Sequence, residues 1–149
     1  MESQKRGGFL VAKVHQLSQR IFTKILRKAN VTELNPAQGR IMFVLWREDN
    51  ISIHELSKRT LLSKSTLTSM LDRLEKSGFI KRVPSKTDRR KILIQLINKD
   101  ESFQTKYINV SKDMTRVYYN NFTEQEINEF EKYLERILNN LLKYNKKNK

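Results

Sequence analysis

The sequence predicts a mostly α-helical chain that carries one small β-hairpin. Three observations predict it. Only 4 Gly and 2 Pro punctuate 149 residues, so little interrupts helix formation. Apolar residues recur at three- and four-residue steps through most of the chain. One interval, Phe79 to Ile97, loses that period and reads as two short strands around a polar loop.

Each element has its own signal. Leu10, Val14, Leu17, Ile21 and Ile25 form one stripe over residues 9–29, widened by Val11 and Phe22, which predicts a first helix. Asn35-Pro36-Ala37-Gln38 restarts a helix to about Arg47: Asn35 suits an N-cap, Pro36 the first helical position, and Gln38 can close a capping box. Ile51 falls in a short extended segment. Ser52-Ile53-His54-Glu55 is a second capping box, opening a short helix through about Thr60. Ser63 caps a helix to about Ser77, with Leu67, Met70, Leu71 and Leu74 inward and Gly78 as its stop. Phe79 to Val83 is one strand. Lys91 to Ile97 is its partner, with Ile92, Ile94 and Leu96 on one face. A long helix follows from about Asn98 to Asn121, striped by Phe103, Tyr107, Val110, Met114 and Val117. Thr123 and Glu126 box the start of a last helix that uses Ile127, Phe130, Leu134, Ile137, Leu138 and Leu141, with fraying expected after Tyr144.

Composition narrows the chemistry. The chain has no Cys, which excludes a thiol nucleophile, a thiolate metal site and a disulfide framework. His15 and His54 are its only histidines, so neither a metal site nor a catalytic constellation is expected, and no cofactor is implied. No apolar run reaches the roughly 18 residues of a membrane span, and Met1 to Gly8 lacks an apolar signal core. The expectation is a cytoplasmic protein with no membrane partner. The net charge is +14, distributed as +5 over residues 1–34, +7 over 35–97 and +2 over 98–149. A basic centre suits a polyanion, although a solvated basic surface leaves the same count.

From about Asn35 to Ile97 the element order is that of a winged helix-turn-helix. The Lys64 to Ser77 helix is divided: leucines face in, while Lys64, Ser65, Thr66, Thr68, Ser69, Asp72, Arg73 and Lys76 are left for other faces. Four small hydroxyl residues are poor helix formers. On a helix pressed into a major groove they permit close approach and can bond bases or phosphates. The loop Pro84 to Lys91 carries Lys86, Arg89, Arg90 and Lys91 against Asp88 alone, and a basic hairpin tip can reach a backbone or a minor groove.

These residues carry a resemblance. Leu34-Asn35-Pro36-Ala37-Gln38, Glu55-Leu56-Ser57, Ser63 to Thr68, Leu71-Asp72-Arg73-Leu74-Glu75-Lys76-Ser77-Gly78-Phe79-Ile80, Arg82, Asp88-Arg89-Arg90 and Ile94-Gln95-Leu96 are similar to the MarR family of bacterial transcription regulators, and the similarity covers about residues 9–144. The resemblance implies a homodimeric, sequence-specific DNA-binding regulator of the repressor kind, reading a pseudo-palindromic double-stranded operator with half-sites about one helical turn apart. It implies dimerisation helices in residues 1–34 and 98–149 around a DNA-binding domain at 35–97. Leu10, Val14, Leu17, Ile21, Leu134, Ile137, Leu138 and Leu141 would form the dimer seam. Lys64, Ser65, Thr66, Thr68, Ser69, Lys86, Arg89, Arg90 and Lys91 would touch DNA, with Arg90 in the minor groove. Arg73 would pair with Asp88 and brace the wing. Ser69 stands where several relatives carry a longer basic residue, and Asn98 takes the N-cap of the long helix.

The same resemblance implies a small aromatic ligand, for which His15, Met42, Trp46, Tyr107 and Met114 are candidate lining residues. Aromatic and Met residues at helical spacing also suit a plain core. Two other readings stay open from sequence: a winged-helix protein-interaction module, and a non-specific architectural DNA binder.

Overall fold

From the N-terminus the chain runs α1 (Gly7–Lys28), α2 (Pro36–Arg47), β1 (Ile51–Ser52), α3 (Ile53–Thr60), α4 (Lys64–Lys76), β2 (Ile80–Pro84), β3 (Ile92–Leu96), α5 (Glu101–Tyr118) and α6 (Glu124–Lys147). The computed structural model describes residues 4–97 and 101–148. They fall into two compact units, one reaching Ser111 and one beginning at Lys112. The expected N-cap at Asn98 lies outside the described residues.

The helix starts follow the local sequence. Asn35 Oδ1 accepts the Gln38 backbone N–H at 2.8 Å, and Gln38 Oε1 accepts the Asn35 N–H at 2.8 Å, a closed capping box. Thr123 and Glu126 form a second box at 3.1 and 2.9 Å. At Ser52 only half the box forms. Ser52 Oγ accepts the Glu55 N–H at 3.1 Å, but the Glu55 carboxylate turns to Arg59 Nε, also at 3.1 Å. A charged donor one turn ahead outcompetes a neutral N–H. Gly78 stops the α4 segment at φ +83° as expected. The tail expected to fray beyond Tyr144 stays helical to Lys147, and Asn148 caps it by donating to the Tyr144 carbonyl.

The hairpin is part of a three-stranded antiparallel sheet in the order β1-β3-β2. Arg82 lies opposite Ile94 in the β2–β3 register, and Ile51 lies opposite Ile94 on the other side. Asp49 Oδ1 ties this edge together by accepting the Leu96 N–H at 2.9 Å. Of the predicted inward face of β3, Ile94 is fully buried and Leu96 half-buried, while Ile92 at the wing end is exposed.

The core lies in the first unit. Leu26, Ile41, Met42, Leu45, Leu56, Leu67, Leu71, Leu74, Ile80 and Ile94 bury against one another, joined by Tyr107 and Val110 of α5. This cluster seats α4 on α2 and α3. In the second unit, Tyr118, Tyr119, Phe122 and Phe130 make edge-on and tilted ring contacts, and Tyr119 Oη donates to Glu131 at 2.8 Å. Helix α6 has no buried residue.

Candidate nucleic-acid interface

The interface is built on the turn between α3 and α4. Leu61 takes a left-handed backbone (φ +55°, ψ +18°), a conformation that costs a side-chain-bearing residue about 1–2 kcal/mol. Two contacts hold the bend. Thr60 Oγ1 accepts the Leu62 N–H at 3.4 Å, and Ser63 Oγ accepts the Thr66 N–H at 3.2 Å. Arg59 reaches back to Glu48 at 2.6 Å, tying α3 to the end of α2. Asn35 Nδ2 lies 3.9 Å from Met70 Sδ and ties the start of α2 to α4.

With Leu67, Leu71 and Leu74 buried, α4 turns Lys64, Ser65, Thr68 and Ser69 outward as exposed residues. Thr66 is only half-buried and is partly used at home: its Oγ1 accepts the Ser63 hydroxyl at 2.8 Å. Arg73 is also exposed.

The wing tip folds on itself. Ser85 is buried, and its Oγ accepts the N–H groups of Thr87 and Asp88, both at 3.3 Å. Ser85 N–H bonds the Lys91 carbonyl at 3.0 Å, and Lys91 N–H bonds the Asp88 carbonyl at 3.0 Å. This leaves Lys86, Arg89, Arg90 and Lys91 projecting as exposed cations from a turn with few loose backbone groups.

The expected Arg73–Asp88 brace is not what holds the wing. Asp88 Oδ1 accepts Arg90 Nε at 3.2 Å and Arg90 N–H at 3.0 Å. The Arg90 side chain and then its backbone hold the Asp88 carboxyl below the usual carboxylate range. The reason is proximity: two residues apart in a turn, the pair meets without ordering any further chain. The link from wing to α4 comes from Arg82 instead. Its guanidinium pairs with Asp72, and its backbone N–H donates to Glu75 at 3.0 Å. Asp72, Glu75 and Arg82 were not among the predicted site residues. Their sequence signals were two acids, three positions apart, on an otherwise basic helix, and the place of all three residues in the stretch that resembles the MarR family, which gave them no role.

The expected ligand set separates. Met42 and Trp46 line a cavity of about 250 Å³ together with Glu33, Ser77, Gly78, Phe79 and Phe103. Tyr107 does not line it. Its ring is core, in edge-on contact with Phe22, Phe43 and Trp46, and burial pushes its hydroxyl up to about 12. His15 is exposed on α1, and Met114 belongs to the second unit. Helical spacing could not distinguish lining from core; Glu33, Ser77, Gly78, Phe79 and Phe103 were the missed lining residues.

The expected dimer residues are largely uncovered. Leu10, Val14 and Leu17 are exposed on α1, where with Lys13, Gln16 and Arg20 they border an open groove of about 590 Å³. Ile21 is half-buried. On α6, Ile137, Leu138 and Leu141 are exposed and Leu134 half-buried. Among the described residues no three His, Asp or Glu side chains converge as a metal site, and no helix is long and apolar enough to cross a membrane.

The sequence profile of the MarR family matches residues 34–92, the stretch that holds α2 through the start of β3. The Bacillus subtilis uncharacterized HTH-type transcriptional regulator YsmB is 31% identical over 105 residues, covering 70% of this chain and 72% of that protein. The chain belongs to the MarR family. As a MarR-family member it is a DNA-binding transcription regulator and not an enzyme. The Methylorubrum extorquens regulator TtmR is 36% identical over 74 residues, 50% of this chain, but the match spans only 38% of TtmR. Among solved structures, a mutant MarR from Escherichia coli complexed with operator DNA superposes with a TM-score of 0.76 at 26% identity, covering 88% of this chain and 92% of the other. The winged fold and the family coincide on the same residues.

Proposed function

We propose that this MarR-family chain acts as a homodimer that represses transcription by occupying a pseudo-palindromic operator. In this reading α4 enters the major groove, with Lys64, Ser65, Thr66, Thr68 and Ser69 on bases and phosphates. Lys86, Arg89, Arg90 and Lys91 bring the wing to the backbone and the minor groove. The observation that carries the reading is the pairing, on one compact unit, of a small hydroxyl-rich helix face with a self-braced tip bearing four exposed cations. A protein-binding face would need neither the tip's charge nor its rigid turn.

The domain division that goes with it assigns residues 35–97 to DNA binding and residues 1–34 and 98–149 to dimerisation. Support comes from the apolar rows left exposed on α1 and α6: α6 carries apolar residues at seam spacing and buries none, and α1 buries only Leu26 near its C-terminal end, so both rows need a partner. A small aromatic ligand with polar substituents would suit the cavity, where Met42, Trp46, Phe79 and Phe103 offer apolar contact and Glu33, Ser77 and Gly78 offer polar groups.

The test is a fluorescence-anisotropy titration of duplexes selected from a random library, repeated across a salt series. Log affinity should fall with log salt at a slope indicating several phosphate contacts. Arg90→Ala should weaken binding strongly with the dimer intact by sedimentation, and Ser69→Ala should weaken it less. Equal affinity for Arg90→Ala and the parent would remove the wing from the interface.

A further inference from the structure

Arg82, on strand β2 of the wing, is gripped by α4 through both its side chain and its backbone. Its guanidinium Nη2 pairs with Asp72 Oδ1. Its backbone N–H donates to Glu75 Oε2 at 3.0 Å, and its Nε lies 3.9 Å from Glu75 Oε1. Nε is buried and has no hydrogen-bond partner among the described residues. Asp72 and Glu75 stand one turn apart on α4, so together they fix where Arg82 sits along the helix and how it is turned. Arg82 in turn pairs with Ile94, whose side chain is fully buried, so its own strand cannot slide. Two residues further on, β2 ends at Pro84 and the chain enters the turn that carries Arg90.

The charges matter as much as the geometry. Asp72 and Glu75 are exposed and lie on the helix that also carries the hydroxyl face. Left unpaired, two carboxylates beside a phosphate backbone would oppose docking. Arg82 offsets them while anchoring the strand. Leu71, Leu74 and Ile80 also link α4 to β2, but through apolar contacts, which resist separation and do not specify direction.

We infer that Arg82 is a positioning residue for DNA binding: clamped by Asp72 and Glu75, it sets the angle at which the wing presents Arg90 while α4 lies in the major groove. Arg82 itself touches no DNA in this scheme. The inference rests on the proposed groove reading, and its test separates the two.

The experiment is a double-mutant cycle of Arg82→Ala and Arg90→Ala, read as operator affinity by anisotropy at fixed salt. If Arg82 aims the wing, Arg90→Ala costs tenfold or more in the parent and less than about threefold in the Arg82→Ala background. Arg82→Ala alone should weaken binding by about tenfold. Adding Asp72→Asn and Glu75→Gln to Arg82→Ala should recover part of the affinity by removing the repulsion, while leaving the Arg90 effect small. An additive cycle, in which Arg90→Ala costs the same in both backgrounds, overturns the inference and leaves the groove reading standing. Failure of the parent to bind any selected duplex overturns the groove reading itself. Arg82→Lys is run through the same cycle. It keeps one charge but cannot engage both carboxylates through a planar fork, so an intermediate coupling is expected, and the outcome does not depend on the alanine variant folding.

Discussion

Replacing Gly39 by Ala pits helix propensity against packing. Gly39 is the fourth residue of α2, where Ala is favoured over Gly by about 1 kcal/mol on propensity alone. The tertiary structure reverses the sign. A Cβ built on Gly39 falls on the phenol oxygen of Tyr107 and lies 2.5 Å from its Cζ and 3.1 Å from its Cε1. Carbon atoms prefer a separation of roughly 3.5–4.0 Å, so the overlap exceeds one ångström. Tyr107 cannot swing aside cheaply. It is 1% exposed, and its ring centroid lies 5.9, 5.7 and 5.8 Å from those of Phe22, Phe43 and Trp46. Overpacking of this severity costs about 3 kcal/mol, and expelling the ring would forfeit burial worth a similar amount. After the propensity gain, the expected net loss is about 2 kcal/mol. For a chain of this size that lowers Tm by roughly 4–8 °C. The assay is a thermal melt followed by far-ultraviolet circular dichroism. Combining Gly39→Ala with Tyr107→Phe should recover part of the loss, because the oxygen goes while Cζ remains close. A Tm for Gly39→Ala equal to or above that of the parent would refute the packing argument.

Further outcomes follow from the same structure. Leu141→Glu changes a residue 62% exposed in the single chain, so it should cost the isolated fold less than about 0.5 kcal/mol, yet it should move the sedimentation profile from dimer toward monomer. A persistent dimer would take Leu141 out of the seam. The hydroxyls of Tyr107 and Tyr119 are each pushed up to about 12, with burial as the first cause in both. The folded state therefore holds these protons where the unfolded chain, titrating near 10, has released them, so stability is fully present below about pH 10 and falls between about pH 10 and 12. Urea midpoints across that range should drop in the parent and drop less steeply in Tyr107→Phe; parallel curves would count against the burial of that hydroxyl.

What sequence could reveal was whatever the chain settles within a few residues. The capping boxes at Asn35 and Thr123, the N-cap at Ser63 and the stop at Gly78 each depend on neighbours three or four positions away, and they stand where spacing put them. The inward leucines of α4 were equally legible, because a helical period forces them onto one side. So were the outward hydroxyls and the concentration of charge in the wing. The MarR resemblance lay in these same local patterns.

Contacts across the fold were beyond such reading, because the partners are chosen by packing and not by spacing. Ser52 shows the limit at short range: the right residues stood at the right spacing, but Glu55 found a better donor in Arg59. Asp88 shows it again, since a turn brought Arg90 nearer than any helix residue. The strand pairing of Ile51 with Ile94, the seat of Tyr107 over Gly39, and the separation of Met42 and Trp46 from Tyr107 all required the assembled core. Sequence alone thus determined the helices, the hairpin and the family, since these are written in local periodicity and capping. Only the tertiary structure decided which carboxylates hold the wing and which aromatics line a cavity, since only a packed core brings distant side chains into competition for the same partners.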